Sequence, residues 1–360
     1  MKRSDFEAAC LSAPGNYRRY TGRKTAIIIL LTLVAVILVL YAVNTGSAAM
    51  SPGRVLMTIL GRGDAASQIV ILGIRLPRIV AGIVAGAGLA LAGCVMQNLL
   101  RNPLASPFTL GISQGAAFGA ALAIIGGAGQ MHSTGIDAVI IDSPYLVTIS
   151  AFVGAMAATL VILLLARYRG VSPEAMVLAG VALGSLFSAG TTIIQYFAQD
   201  VQVAAVVFWT FGDLGRASWH EVEIMTLVIG LAAGYFMLCR WDYNALDSGE
   251  DTAKSLGVEV ERVRLSGMFI ASLITAVAVA FLGIIGFIGL VGPHLMRRLI
   301  GSDYRFLIPG SLVMGGVLLL ASDTLARTVI APVVLPVGAV TSFMGAPLFL
   351  YLLYKGYRKA

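Results

Sequence analysis

The chain has 360 residues, of which 58% are hydrophobic and only 12% charged, and its formal net charge is +7. A soluble globular domain carries about 25% charged residues. The composition therefore excludes an ordinary soluble enzyme and points to a membrane protein built from many apolar segments.

Residues 1–24, MKRSDFEAACLSAPGNYRRYTGRK, are too long and polar for the n-region of a cleaved signal, and no A-x-A site follows the next apolar run. They are expected to form a cytoplasmic tail, with residues 25–360 as one membrane domain. Apolar runs fall at Thr25–Val43, Leu76–Leu100, Leu110–Ala128, Tyr145–Ala166, Ala175–Ala198, Glu221–Leu238, Val263–Ile285, Gly286–Ile300, Phe306–Arg327 and Pro336–Tyr354. A helix needs about 20 apolar residues to cross the hydrocarbon, so the expected fold is an all-α polytopic membrane protein with ten transmembrane helices. Lys and Arg placement orients them. Nineteen of the 25 basic residues fall on the N-terminal side, and six (Arg54, Arg62, Arg75, Arg78, Arg216 and Arg327) on the other. Both termini are thus expected to be cytoplasmic. The positive charge follows topology, and no nucleic-acid-binding pattern accompanies it.

The second run is poor in bulky side chains. Gly82, Gly86, Gly88 and Gly93 lie in it among alanines, a surface that lets other backbones come close. It is expected to be a crowded inner helix, opened by Arg75-Leu76-Pro77-Arg78 and broken by Arg101-Asn102-Pro103. Further small-residue series are Gly111/Gly115/Gly119, Gly180/Gly184 and Gly283/Gly286/Gly289/Gly292, the last expected to drift slowly round one helix. RLPRIVAGIVAGAGLALAG from Arg75 faintly echoes RLSGMFIASLITAVAVAFLG from Arg264. The two start on opposite sides, so an inverted repeat is expected between the second to fifth and the seventh to tenth spans.

Reactive chemistry is sparse. Cys10, Cys94 and Cys239 lack metal or disulfide spacing, and His132, His220 and His294 are far apart. No G-x-x-x-x-G-K-[ST] cradle is present, so no catalytic, metal or cofactor site is expected. Asp323 is the one carboxylate well inside a span. Arg327, four residues on, shares its helical face and offers an intrahelical partner. Between spans, Arg240–Arg264 is the longest polar stretch after the N-terminal region. Ser248 with Asp251 approximates a capping box and Gly257 suits a helix end, giving a short amphipathic helix whose Ala253 and Leu256 are expected to meet another chain.

These motifs together resemble the FecCD-type permeases, the membrane-spanning subunits of ATP-binding-cassette importers for iron–siderophore, haem and cobalamin complexes. The resemblance runs from about Leu56 to the end, through RLPR, GCVMQNLLRNPLASPFTLGIS, LAGVALG, GEDTAKSLG, GFIGLVGPHLMR, LLASDTLAR, LPVGAV and GAPLF. It implies a homodimer in a prokaryotic inner membrane, two ABC ATPase subunits that use ATP and Mg, and an extracytoplasmic substrate-binding protein. Arg75, Arg78 and Arg327 would meet carboxylates of that binding protein. Asn102, Pro103 and Leu104 match a cytoplasmic gate, with Ser172, Pro173 and Glu174 as its second segment, where other members can have small hydroxyl residues. Gly249, Glu250, Asp251, Ala253, Leu256 and Gly257, in a coupling loop at 240–262, would seat in the ATPase. The expected cargo is a ferric chelate, with haem or cobalamin as alternatives. A different class, an ion-coupled secondary transporter, would need more intramembrane ionisable residues than Asp323 supplies.

Overall fold

The computed structural model describes residues 3–46, 50–128, 143–169 and 172–357. Lys2, His132, Arg358, Lys359 and the Cys10 side chain lie outside what is described. The helices are α1 (Arg3–Asn44), α2 (Pro52–Ile59), α3 (Ala65–Gln68), α4 (Leu76–Leu99), α5 (Ile112–Ala123), α6 (Pro144–Arg169), α7 (Pro173–Tyr196), α8 (Asp200–Thr210), α9 (Trp219–Leu238), α10 (Arg240–Asp247), α11 (Glu250–Ser255), α12 (Val260–Leu282), α13 (Ile288–Ile300), α14 (Tyr304–Thr328) and α15 (Val337–Tyr357). Among the described residues, seven helical segments are long and apolar enough to cross a membrane, and three shorter apolar helices accompany them. The protein is an all-helical, multi-pass membrane protein.

Helix α4 lies at the centre, buried for most of its length. It packs against α14, α13, α12 and α9, and its glycines explain how so many neighbours fit. A Cβ at Gly86 would collide with the Gly315 carbonyl on α14, one at Gly93 with the Gly289 carbonyl on α13, and one at Gly88 with Ile229 on α9. Helix contact in lipid relies on this close approach, because hydrocarbon tails compete equally for apolar side chains. Gly93→Val is therefore expected to cost about 3 kcal/mol or more. The check is the yield of monodisperse protein after detergent extraction, and near-normal yield would count against this packing.

The helix does not begin at Leu76, as the apolar run suggests. It continues back through a π-helical turn at Ile69–Arg75 to α3. Pro77 has no N–H to give to the preceding turn, and the indole of Trp219 supplies a donor there, 2.8 Å from the Leu72 carbonyl.

Gly115 and Gly119 pack α5 onto α6, against Gly154 and Ser150. Gly111 has φ 74° and lies against Gly180 and Gly184 of α7. Both glycine series are helix-packing surfaces. The third series is different: Gly283 ends α12 at φ 77°, and α13 starts only at Ile288. The four glycines thus straddle a break and do not share one helix. Helices α8 and α10, each too short to stand out as an apolar run, are additions that the hydropathy pattern conceals. No break separates residues 1–24 from the first span either, since α1 is helical from Arg3.

Candidate functional site: the two ends of helix α4

At the end of α4 that begins with Arg75, three arginines from two distant parts of the chain meet. Arg78 donates from Nε and Nη2 to Asp323 Oδ1 at 2.9 and 2.8 Å, and Arg327 donates from Nε to Asp323 Oδ2 at 2.9 Å. Arg327 also reaches the Thr45 carbonyl at 3.1 Å, and Arg75 the Val43 carbonyl at 2.8 Å. Asp213 lies 3.4 Å from Arg78. The expected Asp323–Arg327 pair is present, and Arg78 closes it from the other side into a clamp between α4 and α14. Asp323 is fully buried, and Arg75 and Arg327 are nearly so. The three arginines converge within the helix bundle, each with ties inside the chain. They outnumber the two carboxylates, and the cluster keeps excess positive charge.

The other end of α4 stops at Leu100. Asn102 N–H bonds back to the Gln97 carbonyl and Arg101 N–H to that of Asn98, with Arg101 at φ 47°. That left-handed position ordinarily belongs to glycine. The Asn102 side chain then accepts from Leu104 N–H at 2.8 Å, Leu104 is exposed, and Pro107–Leu110 form a single 3-10 turn. This loop leans on α7, where Gly180 admits the Thr109 carbonyl. Ser172 caps the start of the same helix by accepting from Ala175 N–H, with Pro173 and Glu174 in its first turn. The two predicted gate segments therefore stand on elements in direct contact. Glu174 is within electrostatic reach of Arg101 and Arg264.

Beside this loop sits α11. Its cap differs from the expected one: Gly249, at φ 119°, is the N-cap. Ser248 instead donates to the Asn244 carbonyl, finishing α10. Ala253 is fully buried within the chain and Leu256 is 69% exposed. Of the two side chains expected to meet a partner, only Leu256 is presented, and Ala253 is the inward anchor. Asp251 is exposed at the first turn, and Gly257 closes the helix at φ 84°.

Glu250 also points inward. Its carboxylate takes Arg264 at 3.1 Å, Lys254 at 3.4 Å and Arg101 at 3.6 Å. Burial alone would raise its pKa, but hydrogen bonds and charge from Arg264 and Lys254 outweigh that and lower it. A carboxylate with a lowered pKa holds its ion pairs above the ordinary glutamate value and loses them only as pH falls through the depressed one. These pairs thus persist at neutral and mildly acidic pH.

A second set of bonds joins α10 and α13 to α4, and α14 to α10. Asn98 donates to the Tyr243 carbonyl at 3.2 Å, and Arg297 of α13 donates to Gln97 Oε1 at 3.0 Å. Tyr304 N–H donates to Asn244 Oδ1 at 2.9 Å. Sequence reasoning missed Arg101, Arg264, Tyr243 and Asn244 because each acts through partners remote in the chain. One signal was readable: an arginine just before Asn-Pro, where a helix must stop. Among the described residues no group of His, Cys, Asp or Glu is arranged to hold a metal ion.

The FecCD transport family model matches residues 31–355. A candidate ABC transporter permease protein of Methanocaldococcus jannaschii, MJ0087, is 57% identical over 97% of this chain and 100% of its own length. The Fe(3+)-citrate import system permease YfmE of Bacillus subtilis is 36% identical over 91% of this chain and 94% of its own. The hemin transport system permease HmuU of Yersinia pestis is 37% identical over 90% and 94%. A solved structure, an inward-facing conformation of a candidate metal-chelate type ABC transporter, superposes with a TM-score of 0.80 at 31% identity, covering 92% of this chain and 99% of that one.

Proposed function

This chain belongs to the FecCD transport family, and we propose that, as the membrane-spanning permease subunit of an ABC importer, it moves a ferric chelate into a prokaryotic cytoplasm. The observation that carries the reading is α11: a short helix beside the inner-end loop, offering exposed Leu256 in a chain with no phosphate-binding motif. Work from ATP hydrolysis must then arrive as force from a separate chain. Two ATPase subunits would supply it, using ATP and Mg, while this chain carries no cofactor and catalyses no reaction itself. Gly249, Glu250, Asp251, Ala253, Leu256 and Gly257 form the coupling element in this reading. Asn102, Pro103 and Leu104 with Ser172, Pro173 and Glu174 form the cytoplasmic gate.

The working unit is a homodimer in the inner membrane. Each copy would cross ten times, with α5, α13 and α15 completing the seven longer segments, both termini in the cytoplasm and the halves related as an inverted repeat. An extracytoplasmic binding protein would dock on the outer end. Arg75, Arg78 and Arg327 serve it through their excess positive charge, with guanidinium N–H groups shared between Asp323 and an incoming carboxylate. Similarity to an iron-citrate permease supports a ferric chelate. Equal similarity to haem and cobalamin permeases keeps haem or cobalamin as the second reading.

Reconstitution tests the assignment. Uptake into vesicles should require the ATPase and the binding protein, and should stop with a non-hydrolysable nucleotide. Uptake that persists without ATPase would overturn it. The ligand that copurifies with the binding protein decides among ferric chelate, haem and cobalamin.

A further inference from the structure

We infer that Glu250 is a positioning residue that ties α11 to the inner-end loop through Arg101, and to α12 through Arg264, so that a push on α11 displaces the loop. The inference rests on the reading of α11 as the ATPase contact. It adds the route by which force would leave that helix.

Three observations carry it. First, the one carboxylate of Glu250, with its side chain 28% exposed, faces three cations: Arg264, Lys254 and Arg101. Lys254 belongs to α11 itself, so only Arg264 and Arg101 lead out of the helix. They lead to the first turns of α12 and to the residue that ends α4. Second, Arg101 occupies a backbone position at φ 47° where glycine would be free of strain. An arginine kept in that conformation points to a use for its side chain, and the side chain reaches Glu250. Third, the flank of α11 toward α6 and α7 is not solid. A cavity of about 830 Å3 opens there, lined by Glu250, Lys254, Arg264, Ala166 and Met176. Besides packing on α10 and α12, with Ala253 buried, these ion pairs join α11 to the elements around it. Glu174 of the second gate segment is also within electrostatic reach of these two arginines.

A partly exposed tie adds little to folding. Its trace should appear in coupling, which makes it separable from a structural role. The test uses the whole complex of permease, ATPase and binding protein in vesicles, with Leu104→Cys as reporter and Cys10, Cys94 and Cys239 replaced by alanine. The readout is the change in labelling of that cysteine by a membrane-impermeant maleimide, applied from the ATPase side, when a non-hydrolysable ATP analogue is added. Glu250→Gln keeps the shape of the side chain and removes its charge. Arg101→Gly removes the cation at a position where glycine relieves strain, so its thermal stability should equal or exceed that of the reporter protein.

Arg101→Gly should assemble and hydrolyse ATP, and in both variants the nucleotide-dependent change in labelling should shrink on the order of tenfold. The double variant should be no worse than either single one, as expected of two residues acting through one contact. A full nucleotide response in both single variants, or losses that multiply in the double, would overturn the tie. A reporter background whose labelling ignores nucleotide would defeat the reading of α11, and the tie with it.

Discussion

Leu256→Asp is expected to yield a normally inserted protein that has lost its ATPase partner or its transport-linked hydrolysis. Leu256 is exposed at the end of α11, so within this chain the substitution alters no packing. Exposed positions of this kind usually change stability by less than about 0.5 kcal/mol. In the complex the situation reverses. Burying a leucine side chain favours docking by about 1.5–3 kcal/mol, and a charge placed there must lose its water without a partner. Together these should weaken assembly on the order of a hundredfold. Copurification of the two subunits, followed by vesicle transport, measures the loss. Ala253→Asp is the contrasting control. Ala253 is buried in the chain itself, so that variant should fail at folding and yield little extractable protein. If Leu256→Asp transports at the wild-type rate with the complex intact, α11 is not the coupling element.

The contrast between these neighbours shows what the sequence could and could not convey. A short capped helix in the longest loop between spans is a local feature, and the Gly249 and Gly257 turns at its ends follow from local backbone needs. Which of its faces looks outward depends on α10, α12 and the loop after α4, none of which the local pattern specifies. Amphipathicity marked Ala253 and Leu256 alike, and tertiary packing separated them. The centre of the fold was legible for the opposite reason: a glycine- and alanine-rich run has few uses besides close helix contact, and α4 realises it at Gly86 and Gly93. The break at Gly283–Phe287 was only partly legible: the apolar runs divide between Ile285 and Gly286, but the glycine spacing read as one helix, whereas Gly283 and Phe287 take positive φ. The arginines around Asp323 were partly legible. Arg327 is four residues from Asp323 and pairs along one helix, whereas Arg78 reaches the same carboxylate from 245 positions away.

That carboxylate carries the largest expected effect on stability. Asp323 is fully buried and receives Arg78 on one oxygen and Arg327 on the other. Asp323→Asn preserves shape and a hydrogen-bond acceptor but removes the charge that both cations share. Breaking a buried ion pair by deleting one partner costs about 3–5 kcal/mol, because a charge is left uncompensated. Here one substitution strips Arg327 of its carboxylate and leaves Arg78 only the more distant Asp213. Arg78→Met removes one cation, and Asp323 stays neutralised by Arg327. The expected order of damage is thus Asp323→Asn first and Arg78→Met well behind it. Measured on the permease alone in detergent, the first should lower the apparent melting temperature by about 10 °C and the second by less than half as much. Working without the binding protein separates this clamp from any docking role of the same arginines. Equal losses in the two variants, or an Asp323→Asn protein that melts like the wild type, would show that the carboxylate does not hold α4 to α14.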